Sequence, residues 1–155
     1  MPSLGLAWLP VWARGLRQSS GDVRPAALSP TSLAVGPHGR AAVGAAFEGL
    51  VDLDAVPLLS AGDKGAALIR YSEDGAVLWG RSFAATGAEL IRSVAVDYAE
   101  RVIASGDLGE DALGPDGPAF PPGRPGEPVV VAAFAEDGAG LWAARAAGDL
   151  QAGPL

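Results

Sequence analysis

A chain of 155 residues with 49% hydrophobic and 19% charged residues can bury one ordinary core and is too apolar to be a disordered acidic tail. A formal charge of −7 argues against nucleic acid and against an anionic membrane surface, because both select a basic face. No cysteine is present, which removes disulfides, thiolate nucleophiles and cysteine-ligated metals, while 22 Gly and 13 Pro imply many turns and few long helices.

The lead-in, residues 1–11, is apolar but does not read as a signal peptide. No basic segment precedes it, Pro10 interrupts it, and Arg14 and Arg17 come only afterwards. Trp8 and Trp12 read as strand residues. Runs such as 129–135 fall far below the ~20 apolar residues that a membrane helix requires. A first repeat, residues 12–78, is expected to hold strands at 31–35, 40–47, 65–71 and 76–82, the last reaching past the boundary. Short runs of Ala, Val, Leu and Ile suit strands covered on both faces. Gly36-Pro-His-Gly39 makes a tight turn between the first two strands. Glu73-Asp74-Gly75 makes one between the last two, where Asp-Gly between apolar residues predicts a hairpin with a primed turn. Residues 48–63, between the second and third strands, read as a surface loop.

A second repeat, residues 79–141, follows the same plan, with strands expected at 92–96, 101–106, 128–134 and 139–145. Residues 84–91 can be argued either way between helix and strand. Its turns are Asp97-Tyr-Ala-Glu100 and Glu136-Asp137-Gly138, and residues 107–127 form a long Gly- and Pro-rich loop. Residues 142–155 begin a third repeat and a tail. The period, roughly 60–70 residues, rests on recurring landmarks. Tyr71-Ser-Glu-Asp-Gly-Ala-Val-Leu-Trp79 matches Phe134-Ala-Glu-Asp-Gly-Ala-Gly-Leu-Trp142 at six of nine positions, 63 residues apart. Ser32-Leu-Ala-Val35 matches Ser93-Val-Ala-Val96 at a spacing of 61, with Arg40 and Arg101 in register, and Trp12 opens the tryptophan series. Trp12, Trp79 and Trp142, with Asp74-Gly75 and Asp137-Gly138, are therefore the expected structural anchors. The fold class is all-β: two four-stranded antiparallel β-propeller blades and the start of a third, an incomplete ring, since closure takes about four to eight blades.

The run Ala46-Phe-Glu-Gly-Leu-Val-Asp-Leu53, then Leu59-Ser-Ala-Gly-Asp63, Ala67-Leu-Ile-Arg-Tyr71 and Asp74-Gly-Ala-Val-Leu-Trp79 resembles the β-propeller repeat common in surface proteins of myxobacteria. The resemblance spans residues 12–149. It departs from the pattern in the second unit, which has Asp107-Leu-Gly-Glu-Asp111 in place of the Phe-x-Gly segment and a proline-rich insertion. It implies a bacterial cell-envelope or extracellular setting and no assigned activity, with this chain a truncated or degenerate relative. The hairpin 74–79 is also similar to tryptophan repeats of quinoprotein dehydrogenases and outer-membrane assembly scaffolds, whose repeats are shorter. The Asp-box of sialidase-like propellers does not fit, because there one residue separates Asp from Gly.

Candidate chemistry is sparse. His38 is the only histidine and lies in a turn, and no nucleophile elbow, phosphate loop or dinucleotide fingerprint is present. Asp107, Glu110, Asp111 and Asp116 gather in the second long loop, where calcium is conceivable, although no calcium-loop spacing accompanies them. A solvated acidic loop is the expected reading, with calcium the weaker alternative. The four tryptophans could stack on sugars, but a repeated strand position suits an indole that packs one blade on the next. The expectation is a non-catalytic structural or binding module with no cofactor and no catalytic residue. Its partners are further blades, from the same chain or by self-association, with no nucleic acid and no membrane span. The alternatives are a fragment of a propeller enzyme whose active residues lie elsewhere, and a protein-interaction scaffold.

Overall fold

The computed structural model describes residues 17–18, 27–53, 56–59, 65–83, 90–107 and 129–146. They form eleven strands: β1 (Arg17–Gln18), β2 (Ala27–Val35), β3 (Ala41–Glu48), β4 (Leu50–Leu53), β5 (Val56–Leu59), β6 (Gly65–Tyr71), β7 (Val77–Phe83), β8 (Leu90–Val96), β9 (Val102–Asp107), β10 (Val129–Phe134) and β11 (Gly140–Ala146). Two four-stranded antiparallel sheets, β2-β3-β6-β7 and β8-β9-β10-β11, each run through neighbouring strands in chain order. The fold is all-β. Among the described residues there is no helix, none therefore long and apolar enough to cross a membrane, and the sheets close no ring.

The inner strands of the first sheet are apolar because both of their faces are covered. Every residue of β6 is buried, as expected of a central strand with a layer on each side. The outer strands alternate or open to solvent, as β7 does.

Register repeats along with sequence. The β2–β3 ladder slips at Thr31 and the β8–β9 ladder at Arg92. The β6–β7 ladder slips at Leu78 and the β10–β11 ladder at Leu141. An extra residue at the same place in each unit bends the strand the same way, so these bulges belong to the design of the repeat.

The four described turns of the two large sheets share one plan. The fourth residue donates its N–H to the carbonyl of the first: Gly39 to Gly36 (3.1 Å), Gly75 to Ser72 (3.0 Å), Glu100 to Asp97 (3.0 Å) and Gly138 to Ala135 (2.9 Å). That fourth residue has positive φ, at 75°, 82° and 84° for the three glycines and 60° for Glu100. The Asp-Gly hairpins are thus not primed two-residue turns. Asp74 and Asp137 keep ordinary φ, and only the glycine after each enters the left-handed region, as in a longer loop closed by a bulge.

The two large sheets pack face to face. Ala42, Ala66, Leu68, Trp79 and Phe83 of the first meet Ile91, Val94, Val102, Ala104, Val130, Ala132 and Phe134 of the second in one core. Gly44 permits the close approach: a Cβ there would stand 3.0 Å from Cβ of Ile91. Thr31 Oγ1 donates to the Ile91 carbonyl (2.5 Å), and Ser32 Oγ accepts from the Val94 N–H (3.0 Å). In repeat register Val102, Val130, Ala132 and Phe134 align with Ala41, Ala67, Ile69 and Tyr71, which occupy the opposite face of the first sheet. The stacking is therefore head-to-tail, each sheet offering different faces to its two sides.

That opposite face is covered in part from the segment expected to be a surface loop. Residues 48–63 instead contain the β4–β5 hairpin, which joins β1 in a small third sheet. Val51, Leu53 and Leu58 bury against Phe47, Ile69 and Tyr71. Burial overrides the loop reading because Val51 and Leu53, on either side of exposed Asp52, place apolar groups on one side of a strand. Leu33 and Val35, at the β2 edge of the same face, stay exposed.

Candidate functional site at the turn rim

The antiparallel order brings all four turns to one end of the sheets, where the charged residues of the two units meet. At the centre is Glu100, 4% exposed, facing Arg70, which is fully buried. One nitrogen of the guanidinium, Nη2, donates to Glu100 Oε2. The other carboxylate oxygen accepts the His38 N–H at 3.1 Å and lies 2.9 Å from His38 Nδ1. An ionised carboxylate only accepts, so Nδ1 carries the proton in that contact. Gly36 makes the seat: a Cβ there would fall 2.8 Å from Oε2 and 2.9 Å from Val96 Cγ1. Nη1 of Arg70 reaches the Arg40 carbonyl at 3.4 Å, and its buried Nε finds no acceptor among the described residues.

Burial alone pushes the Glu100 carboxyl up. The hydrogen bonds from the His38 backbone and ring, with the Arg70 charge, outweigh it and hold Glu100 below its ordinary range. Burial lowers Arg70, against the raising effect of the Glu100 charge. The Asp97 carboxyl, which opens the same turn, is likewise held low: partial burial raises it, and N–H bonds from Arg101 and Ala99 more than offset this.

Beside this pair a groove of about 560 Å³ runs between the sheets, lined by Arg40, Leu78, Trp79, Ala135, Glu136 and Asp137. Arg40 crosses it to Glu136. Trp79 forms its floor, with Nε1 donating to the Glu136 carbonyl (2.8 Å) and its ring 6.2 Å from that of Phe134. A Cβ on Gly138 would lie 2.8 Å from Trp79 Cδ2, so the indole rests on a glycine that both φ and space demand. Arg81 Nε adds a bond to the Gly138 carbonyl at 3.1 Å.

Of the expected anchors, Asp74, Gly75, Asp137 and Gly138 occupy corresponding turns. Asp137 Oδ1 accepts the Ala139 N–H, and Asp74 Oδ1 bonds the Ser72 hydroxyl. Trp79 is 7% exposed and Trp142 48%; Trp8 and Trp12 lie outside the described residues. Among the calcium candidates, Asp107 accepts from Arg92 Nε at 2.8 Å, while Glu110, Asp111 and Asp116 lie outside the described residues. No cluster of His, Asp and Glu suited to a metal occurs among the described residues.

Sequence reasoning passed over Arg70 and Glu100 as a pair. Two signals pointed to them: an arginine inside the otherwise apolar run 65–71, and a glutamate where Gly39 stands in the first unit. No protein-family model matches the chain, and no curated protein matches it.

Proposed function

We propose that this chain is a non-catalytic structural or binding module, two consecutive blades of a bacterial cell-surface or secreted β-propeller of the myxobacterial repeat type. The observation that carries the reading is the head-to-tail stacking of two sheets with the same strand order, bulges and turns. Propellers are built by that radial repetition. The rim supports a structural role, because charges there pair with one another: Glu100 with Arg70 and His38, Arg40 with Glu136, and Asp97 with Arg101. The setting follows from the family resemblance in the motifs.

A sheet face left open favours association. Light scattering with far-ultraviolet circular dichroism on the same sample tests the reading. A strand-rich spectrum at a multiple of 15.5 kDa supports it. A well-folded monomer contradicts it and favours a self-contained sandwich.

A further inference from the structure

The outer face of the second sheet repeats the face through which the first sheet holds the second. Ile103, Val131 and Trp142 align with Ala42, Leu68 and Trp79. The three residues of the first sheet are buried by their neighbour, whereas Ile103 and Val131 are half-exposed and Trp142 more so. Two positions change their chemistry. Ala133, which pairs with Trp142 as Arg70 pairs with Trp79, stands where the first sheet has its buried cation. Ser105 stands where the first sheet has Gly44, which makes room for Ile91.

We infer that this face is a docking surface for one further four-stranded sheet of the same repeat. The incoming sheet carries a small residue at the position of Ile91 and glycine rather than an acid at the position of Glu100. This inference rests on the propeller-module reading and adds the chemistry of the next unit. Trp142 is placed to repeat what Trp79 does. Its Nε1 meets a turn carbonyl equivalent to that of Glu136, and its ring meets a positive-φ glycine equivalent to Gly138. An acid at the Glu100 position would be buried against Ala133 without its cation, which a buried carboxylate does not tolerate. The pair Arg70–Glu100 and the pairing of Ala133 with glycine thus encode the order of units by exclusion as well as by attraction.

The test uses the full chain with a second copy of residues 90–146 appended at its C-terminus. In the copy Ile91→Ala, Glu100→Gly and Trp142→Phe are introduced, the last so that only the original Trp142 reports. Iodide quenching in dilute solution is read as the difference from the same fusion with the original Trp142→Phe. The expected result is loss of Trp142 quenching to the level of Trp79, and its return when Glu100 is restored in the copy. If Trp142 stays quenchable although circular dichroism shows the copy adding strand, the docking surface is wrong and the module reading stands. Protection that persists with Glu100 restored overturns the selectivity for glycine. A copy that adds no strand signal overturns both, because the unit would then not be a repeat that folds on its neighbour.

Discussion

At the level of single residues, Glu100 joins the two sheets at the rim through Arg70 and His38. Its left-handed backbone costs about 1 kcal/mol for a non-glycine residue, and it is held there by the contacts of its carboxylate. Removing one partner of a buried ion pair strands the other, so Glu100→Gln and Arg70→Met are each expected to destabilise the chain by about 3 kcal/mol in urea unfolding. Arg70→Met combined with Glu100→Gly removes the stranded charge and the backbone strain together. That double variant should be closer to the parent than either single one. The pH dependence has a definite sign. Glu100 and Asp97 are held below their ordinary values of 4.5 and 3.8, so their contribution is complete above those values and is lost as pH falls through the lower folded ones. Unfolding followed from neutral pH into acid should show the gap between parent and Glu100→Gln shrinking below about pH 4.5. A gap that stays constant would contradict the assignment. The pair was only half legible in the sequence: Arg70 and Glu100 each break a local pattern, but nothing in one chain of letters pairs residues on different sheets.

At the scale of the element, the turns decide where strands end. Gly39 and Gly138 both have positive φ, but a Cβ on Gly39 would meet only Glu73 Cβ at 3.6 Å, whereas one on Gly138 strikes Trp79. Gly39→Ala should therefore cost only the backbone term, about 1–2 kcal/mol. Gly138→Ala should cost several kcal/mol and raise the fluorescence quenching of Trp79, which identifies the packing contribution. Most strands of the two large sheets were legible within a few residues, because apolar runs bounded by Gly, Pro and Asp give the ends. β2 begins earlier than its apolar pattern suggested, at Ala27, since pairing with β3 carries it through Pro30 at an edge. The β4–β5 hairpin was hidden because two strands of four residues, one of them containing Pro57, give too short a pattern to read.

For the whole molecule, the periodicity that runs through the sequence is realised as a stack. The repeat was legible because its landmarks recur in order. The direction of stacking was not, since it depends on Gly44 and Gly138 clearing space for Ile91 and Trp79 across the interface. Gly44→Ala should destabilise the chain, and Ile91→Ala in the same background should recover part of the loss, an interaction a double-mutant cycle detects. The tryptophans test the stack most directly. Their indole N–H resonances, assigned by single Trp→Phe variants, can be followed by hydrogen exchange in dilute solution. Strong protection is expected for Trp79, which donates to the Glu136 carbonyl beneath the second sheet, and, at concentrations low enough that copies dissociate, fast exchange for Trp142 on the open face. Equal and rapid exchange at both positions would mean that the second sheet does not sit on the first.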